Sequence, residues 1–250
     1  MISAVALEGL PEIHAGNDLG QLIVRALEAQ GGLERGDVLV VAHKAISKAE
    51  GRTRRLSDVS PSVRAVRLAD EHGKDPRHVQ VVLDESQTLL RAARGVLICV
   101  TRQGLVCANA GVDQSNVPGE ETVVLLPQDP DASARALRAR IDELGGVAPA
   151  IVITDSFGRA WRRGQTDVAI GCAGLEPLED WRGRADAVGR ELKATWIAIA
   201  DELAAAADLA RRKDGMQPVV RVRGAGSHAV AGDGPGAAAL LRPEAEDLFR

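Results

Sequence analysis

The sequence has no tyrosine, two phenylalanines and three tryptophans among its 250 residues, too few aromatics for a surface that binds nucleic acid by stacking bases. Cysteine is equally sparse. Cys99, Cys107 and Cys172 are odd in number, far apart and set among apolar or small neighbours, which suits buried reduced thiols and a cytoplasmic setting rather than a disulfide framework. No Cys-x-x-Cys occurs, and His14, His43, His72, His78 and His228 show no paired spacing for zinc. A Gly-x4-Gly-Lys-Ser/Thr phosphate loop is missing, so any nucleotide is held differently, and with no Gly-x-Ser-x-Gly elbow serine hydrolase chemistry lacks support. No apolar run approaches the roughly 18 residues of a membrane span. Residues 1–10 have neither the basic region nor the apolar stretch of a secretion signal.

What remains is a core built from Val, Leu, Ile and Ala. Hydrophobic residues make up 45% of the chain and charged residues 26%, a globular balance. A net charge of −4 gives no reason to expect nucleic acid or an anionic membrane as partner.

Apolar patterning predicts a strand over residues 4–10, a helix over 19–30 capped by Asn17 or Asp18 and stopped at Gly31-Gly32, and a buried strand over 37–42. A polar, basic stretch, His43 to Arg52, follows. Helical periodicity returns over 63–71, and Asp84 or Ser86 can cap a short helix reaching Arg94. Residues 96–100 and 105–108 read as a hairpin about Gly104. Asp129-Pro130 starts the clearest helix, over 132–144, with Gly145-Gly146 as its stop. A strand over 151–153 precedes a long Ala-rich helix expected within 190–212, with Leu192, Thr195, Trp196, Ile199, Leu203 and Ala206 on its apolar face. Strands and helices alternate without the rhythm of a doubly wound sheet, so the expected class is an irregular α+β fold, taken as one domain over 1–250.

Two acidic motifs, each following an apolar run, carry most of the chemical information. They are Gly111-Val112-Asp113-Gln114-Ser115-Asn116 and Thr154-Asp155-Ser156. A carboxylate at a strand exit reaches a cleft from a rigid base, and an adjacent hydroxyl adds a hard oxygen, which favours Mg²⁺ or Mn²⁺. The two aspartates are too distant in sequence for a local loop, so a shared site needs the fold to bring them together. Otherwise each is a turn or helix-cap residue. Lys44 and Lys48 read either as point charges for a polyphosphate or as a solvated basic turn. Arg159, Arg162 and Arg163, close to Trp161, Gln165 and Asp167, read as a substrate-facing cluster for carboxylate or phosphate, with exposed ion pairs as the alternative. Gly224-Ala225-Gly226-Ser227-His228-Ala229 imitates a dinucleotide loop, but Gly232-Asp233-Gly234-Pro235 cannot continue as the required helix.

Five motifs together resemble the coenzyme F420-0:γ-glutamyl ligase family in family order. They are Leu10-Pro11-Glu12-Ile13, Ser47-Lys48-Ala49-Glu50-Gly51-Arg52, Ala110-Gly111-Val112-Asp113-Gln114-Ser115-Asn116-Val117, Leu126-Pro127-Gln128-Asp129-Pro130-Asp131 and Ile153-Thr154-Asp155-Ser156-Phe157-Gly158-Arg159-Ala160-Trp161-Arg162. The resemblance spans nearly the whole chain. It implies the family's α/β fold in an intertwined homodimer, a stand-alone ligase, and addition of L-glutamate through γ-linked amide bonds to coenzyme F420-0, with GTP as co-substrate. Leu10, Pro11, Glu12, Ile13, His43, Lys48 and Asn116 would fall at guanine-nucleotide positions, with Lys213 in the stretch where archaeal relatives carry a Gly-Gln pair. Asp113 and Asp155 would match metal ligands, and Ser156 a ligand to a second metal. One or two ions of Mg²⁺ or Mn²⁺ are thus implied, and His43 stands where many relatives have serine. Asp113, Asp155, Lys48, Arg159 and Arg162 are the residues expected to carry catalysis. A ligase of the same mechanism acting on another acid such as a folate, or a GTP-binding sensor, would share part of this set.

Overall fold

The computed structural model describes residues 1–114, 121–212 and 214–247, so Asn116 and Lys213 lie outside the described residues. The chain opens with β1 (Ser3–Ala6), α1 (Leu19–Glu28), β2 (Val38–Ala42), α2 (His43–Ala49) and β3 (Thr53–Arg55). A middle segment contributes α3 (Val63–His72), α4 (Pro76–Asp84), β4 (Ser86–Ala93), β5 (Val96–Thr101), β6 (Val106–Ala108) and β7 (Thr122–Val124). Then follow α5 (Pro130–Gly145), β8 (Ala150–Arg159), β9 (Arg162–Ala173), the short β10 (Glu179–Asp180) and β11 (Trp196–Ile197), α6 (Ile199–Ala210) and β12 (Val219–Arg223).

A five-stranded sheet runs β1-β12-β2-β8-β9, with β2 and β8 parallel and the other neighbours antiparallel. Both faces are covered, which is why β2 reads as continuous Val-Leu-Val-Val. Leu39 and Val41 face one core with Ile151, Ile153 and residues of α1 and α5, while Val38 and Val40 face another with Val152, Val220 and the Ile199, Ala200, Leu203 and Ala207 side of α6. A third core lies under α3, α4 and the β4-β5-β6 sheet and takes in Val123 and Leu125. The mixed α+β class expected from the sequence is what these sheets and helices form.

Local chemistry explains the helices read correctly. Asp18 accepts the Gln21 N–H at the start of α1. Asp129 accepts the Ala132 N–H ahead of Pro130, and Gly146, at φ 66°, closes α5 in the left-handed conformation that glycine adopts without a Cβ clash.

Four expectations need correction. Residues 86–93 form a strand rather than a helix, because β4 pairs antiparallel with β5 and the true helix, α4, lies before it, capped by Asp75. Arg94 and Gly95, at φ 51° and 76°, supply the two left-handed residues of a tight hairpin turn. His43–Ala49 is a helix rather than a basic turn, with Ala45 and Ile46 buried beneath it. The long helix within 190–212 is only Ile199–Ala210; Trp196 belongs to β11, and Leu192 and Thr195 precede it. Lastly, β8 does not end at Ile153 but continues through Arg159 in a long hairpin with β9, so Asp155 and Ser156 sit inside a strand.

Candidate active site

Four chain segments meet at one edge of the central sheet. The parallel strands β2 and β8 both run toward it, pairing Ala42 with Thr154 at the limit of their ladder. The Ala42 N–H donates to Pro218 O, which brings the approach to β12 alongside, and the Leu7 N–H donates to Val219 O, which delivers the Leu10 to Ile13 loop. Ligands of open sheets collect outside the carboxyl ends of parallel strands. Here a cleft of about 300 Å³ opens there.

The β8–β9 pairing shifts register between Ile153 and Thr154, where Ile153 faces Gly171 but Thr154 faces Ala169. The extra residue, Ile170, lies on β9, and such a bulge re-aims that strand's side chains beyond it. Unbroken alternation along β8 turns Thr154 and Ser156 toward the α6 side and Asp155 toward α2. On the α6 side, Asp167 sits opposite Ser156 in the ladder and accepts hydrogen bonds from Thr154 Oγ1 at 2.8 Å and Ser156 Oγ at 2.6 Å. Arg211, just past the end of α6, donates through Nη2 to Thr154 Oγ1 at 2.9 Å and pairs with Asp167. Buried charges persist only when paired in this way.

On the α2 side, Asp155 Oδ1 accepts the Ser156 N–H at 2.8 Å and lies 3.3 Å from His43 Nε2. That nitrogen is buried and off the line of a hydrogen bond, while His43 Nδ1 meets Ser47 Oγ at 3.3 Å. Lys44 Nζ reaches Asp113 at 2.6 Å, and Lys48 Nζ reaches Glu12 at 2.6 Å. Nearby, burial and then the Asp155 charge push the Cys107 thiol up to about 12, so it is no nucleophile.

Asp113 arrives from the third core. Asn109, Ala110 and Gly111 take successive left-handed φ of 52°, 51° and 70° just before it, and a two-way backbone bridge to Val124 then fixes Asp113. Non-glycine residues in that region cost energy and tend to mark functional turns. Gly111 is obligatory here, since a Cβ would fall 2.6 Å from Leu126 Cγ.

Of the residues singled out in the sequence, Pro11, Glu12, Ile13, His43, Lys48, Asp113, Asp155 and Ser156 line this one cleft. Leu10 does not line it; its side chain is buried in the core below and anchors the loop. Arg159 and Arg162 are not brought in either. They lie on the exposed end of the β8–β9 hairpin around Trp161, which is 84% exposed, and Arg159 bonds the Arg163 carbonyl. Lys44, expected as a point charge for a polyphosphate, lines the cleft too, as do Gln165 and Asp167 from the expected substrate-facing cluster, whereas Arg211 and Arg212, also in the lining, had been given no role of their own. Lys44, Lys48, Arg211 and Arg212 share the lining with Glu12, Asp113, Asp155 and Asp167, and three of the cations are paired there: Lys44 with Asp113, Lys48 with Glu12 and Arg211 with Asp167. A wall of prepaired opposite charges can accept a ligand that is itself both anionic and cation-bound, since each pair can exchange partners.

Hard-oxygen donors suit Mg²⁺ or Mn²⁺. Among the described residues no three His, Cys, Asp or Glu side chains cluster as a metal cage. Asp113 and Asp155 nevertheless fit an ion of the kind bound by one or two carboxylates plus substrate phosphates, and the Lys44 ammonium on Asp113 marks where positive charge is wanted.

The family model described as F420-0:Gamma-glutamyl ligase matches residues 9–224. A coenzyme F420:L-glutamate ligase of Methanopyrus kandleri is 45% identical, covering 96% of this chain and 94% of its own length. The proteins of that name from Methanothermobacter thermautotrophicus and Archaeoglobus fulgidus are 42% and 45% identical, each over 100% of this chain and over 99% and 96% of their own lengths.

Proposed function

The chain belongs to the F420-0:γ-glutamyl ligase family and is a ligase, and from that premise we propose that it joins L-glutamate by γ-linked amide bonds to coenzyme F420-0 at the expense of GTP. The observation that carries this reading is the convergence of Asp113, from one core, with Asp155 and the lysines of α2, from another, in a single cleft.

A carboxylate is a poor acyl donor. In the proposed reaction an oxygen of the coenzyme's terminal carboxylate takes the γ-phosphoryl group of GTP, giving an acyl phosphate and GDP. The glutamate nitrogen then attacks the acyl carbon, the carbon–oxygen bond to phosphate breaks, and inorganic phosphate leaves as the nitrogen loses a proton. Phosphoryl transfer asks a protein mainly for positioning and charge stabilisation. Lys44 and Lys48 can release Asp113 and Glu12 to hold phosphate oxygens. Asp113 and Asp155 are the residues that would hold Mg²⁺ or Mn²⁺, which when bound neutralises charge on the phosphate oxygens. The Pro11 to Ile13 loop and His43 form the wall on which the nucleotide would rest. Ser156 directs its proton to Asp167 rather than to a histidine, and among the described residues no cysteine lines the cleft, so a covalent enzyme intermediate has no support.

The test is mass spectrometry of protein incubated with F420-0, L-glutamate, GTP and Mn²⁺, omitting each in turn. Successive glutamyl additions that need every component are expected. GTP hydrolysis without addition to the coenzyme would overturn the assignment, and addition to a folate instead would keep the mechanism but change the acceptor.

A further inference from the structure

The α6 side of the cleft carries a cation of its own. The Arg211 side chain is 9% exposed and Asp167 is 1% exposed, so the pair is withdrawn from bulk water although Arg211 lines the cleft. One arm of the guanidinium, Nη2, is engaged by Thr154 Oγ1 and Asp167, and Nε lies 3.7 Å from Asp208 Oδ1. The other arm, Nη1, is buried and has no hydrogen-bond partner among the described residues. Buried donors are nearly always satisfied, so a lone one on the wall of a cleft calls for an acceptor that arrives with the ligand. Guanidinium nitrogens match the oxygens of phosphate and carboxylate better than any other side-chain donor.

A second divalent ion, which family resemblance implies at Ser156, fits this arrangement poorly. Ser156 Oγ donates to Asp167, and the same carboxylate takes Thr154 and the Arg211 guanidinium, so positive charge already sits where that ion would be. We propose that Arg211 is the resident cation of this half of the cleft, replacing a second divalent ion and offering Nη1 to an anionic phosphate oxygen of the bound nucleotide or acyl phosphate. The proposal rests on the nucleotide-dependent reading above and adds how the second half of the charge is met. Arg211 is on this view a ligand-binding and positioning residue, held by Asp167 and Thr154.

The experiment counts bound Mn²⁺ by equilibrium dialysis in protein saturated with a non-hydrolysable GTP analogue, and measures analogue affinity with metal removed. Wild-type protein is expected to hold one Mn²⁺ per chain. Arg211→Met should admit a second Mn²⁺ beside Asp167 and weaken metal-free analogue binding about tenfold or more, the scale of a charged hydrogen bond. Arg211→Lys should return the count to one. Because Arg211→Met removes the guanidinium from the buried Asp167 carboxylate, the double variant Arg211→Met with Asp167→Asn supplies a form with that charge removed as well, and it should show the same loss of metal-free affinity. Two Mn²⁺ in the wild type, or unchanged count and affinity in Arg211→Met, would overturn the proposal while leaving the ligase reading in place. Failure of the wild type to bind the analogue at all would remove both.

Discussion

Asp113→Asn separates the chemistry of the cleft from the stability of the fold. The Asp113 side chain is 43% exposed, and its partner Lys44 is 21% exposed. An ion pair that open to water is worth about 0–1 kcal/mol, whatever its short distance. The backbone bridge that fixes Asp113, with N–H to carbonyl distances of 3.1 and 2.8 Å to Val124, does not involve the carboxylate. A chain of this length loses about 2–4 °C in Tm per kcal/mol, so the variant should melt no more than about 4 °C below wild type. Activity should behave differently. Losing one preorganised charge contact at a phosphoryl-transfer site costs about 10²–10³ in kcat, or roughly 3–4 kcal/mol of barrier. The assay is glutamyl addition followed by mass spectrometry, with melting followed by scanning fluorimetry on the same samples. Lys44→Met is the control, since it breaks the same pair but leaves the carboxylate. Excess Mn²⁺ should recover part of the activity of Asp113→Asn and none of that lost in Lys44→Met. Activity of Asp113→Asn within a few fold of wild type would refute the reasoning, and so would a Tm loss of roughly 10 °C or more, which would mark Asp113 as a structural residue.

Three further outcomes follow from groups that do not line the cleft. Burial alone would raise the Asp37 carboxyl, but the Arg223 guanidinium at 2.9 and 2.8 Å and the Glu34 N–H outweigh it and hold the group below its ordinary 3.8. A depressed carboxyl stabilises above its unfolded value and loses that contribution as pH falls through the folded one. Arg223→Ala should therefore lower stability at pH 7, and the gap from wild type should narrow in melts at pH below 3.8; a gap independent of pH would refute the pairing. Burial pushes Cys107 and Cys172 up to about 12, so neither should react with a disulfide reagent at neutral pH until the protein is unfolded, and rapid native labelling of either would count against their placement. Gly171→Ala would bring a Cβ within 2.5 Å of the Pro130 carbonyl, where β9 meets the start of α5, and should destabilise by about 1–3 kcal/mol in denaturant titration; a neutral effect would show that α5 can shift away freely.

The elements legible in the sequence are those whose signals are local. Asp129-Pro130 and Gly146 announce α5 by capping chemistry alone, and the apolar run of β2 follows from burial on both faces. Residues 86–93 misled because Asp84 and Ser86 look like caps, whereas pairing with β5 decides the conformation and Ser86 Oγ instead returns to the Val82 carbonyl. The Arg94-Gly95 turn was the available signal, since an Xaa-Gly pair between two runs marks a tight hairpin. In α2, seven residues are too few for periodicity to outweigh a polar composition.

The site divides along the same line. Asp113 and Asp155 stand out because a carboxylate after an apolar run is a local pattern. Asp167 and Arg211 do not, because their meaning depends on a strand register and on where a helix ends. A two-residue slip of β9 would move Asp167 away from Ser156, and the bulge between Ile153 and Thr154 that sets this register leaves no mark in the residue types around it. Arg159 and Arg162 err in the opposite direction. Local density made them conspicuous, yet the register that delivers Asp167 to the cleft also carries them out along the hairpin beside an exposed Trp161. One ladder thus decides both outcomes: Asp167 meets Ser156 at the cleft wall, and the arginines lie past it toward Arg159 opposite Arg162, where the strands turn back.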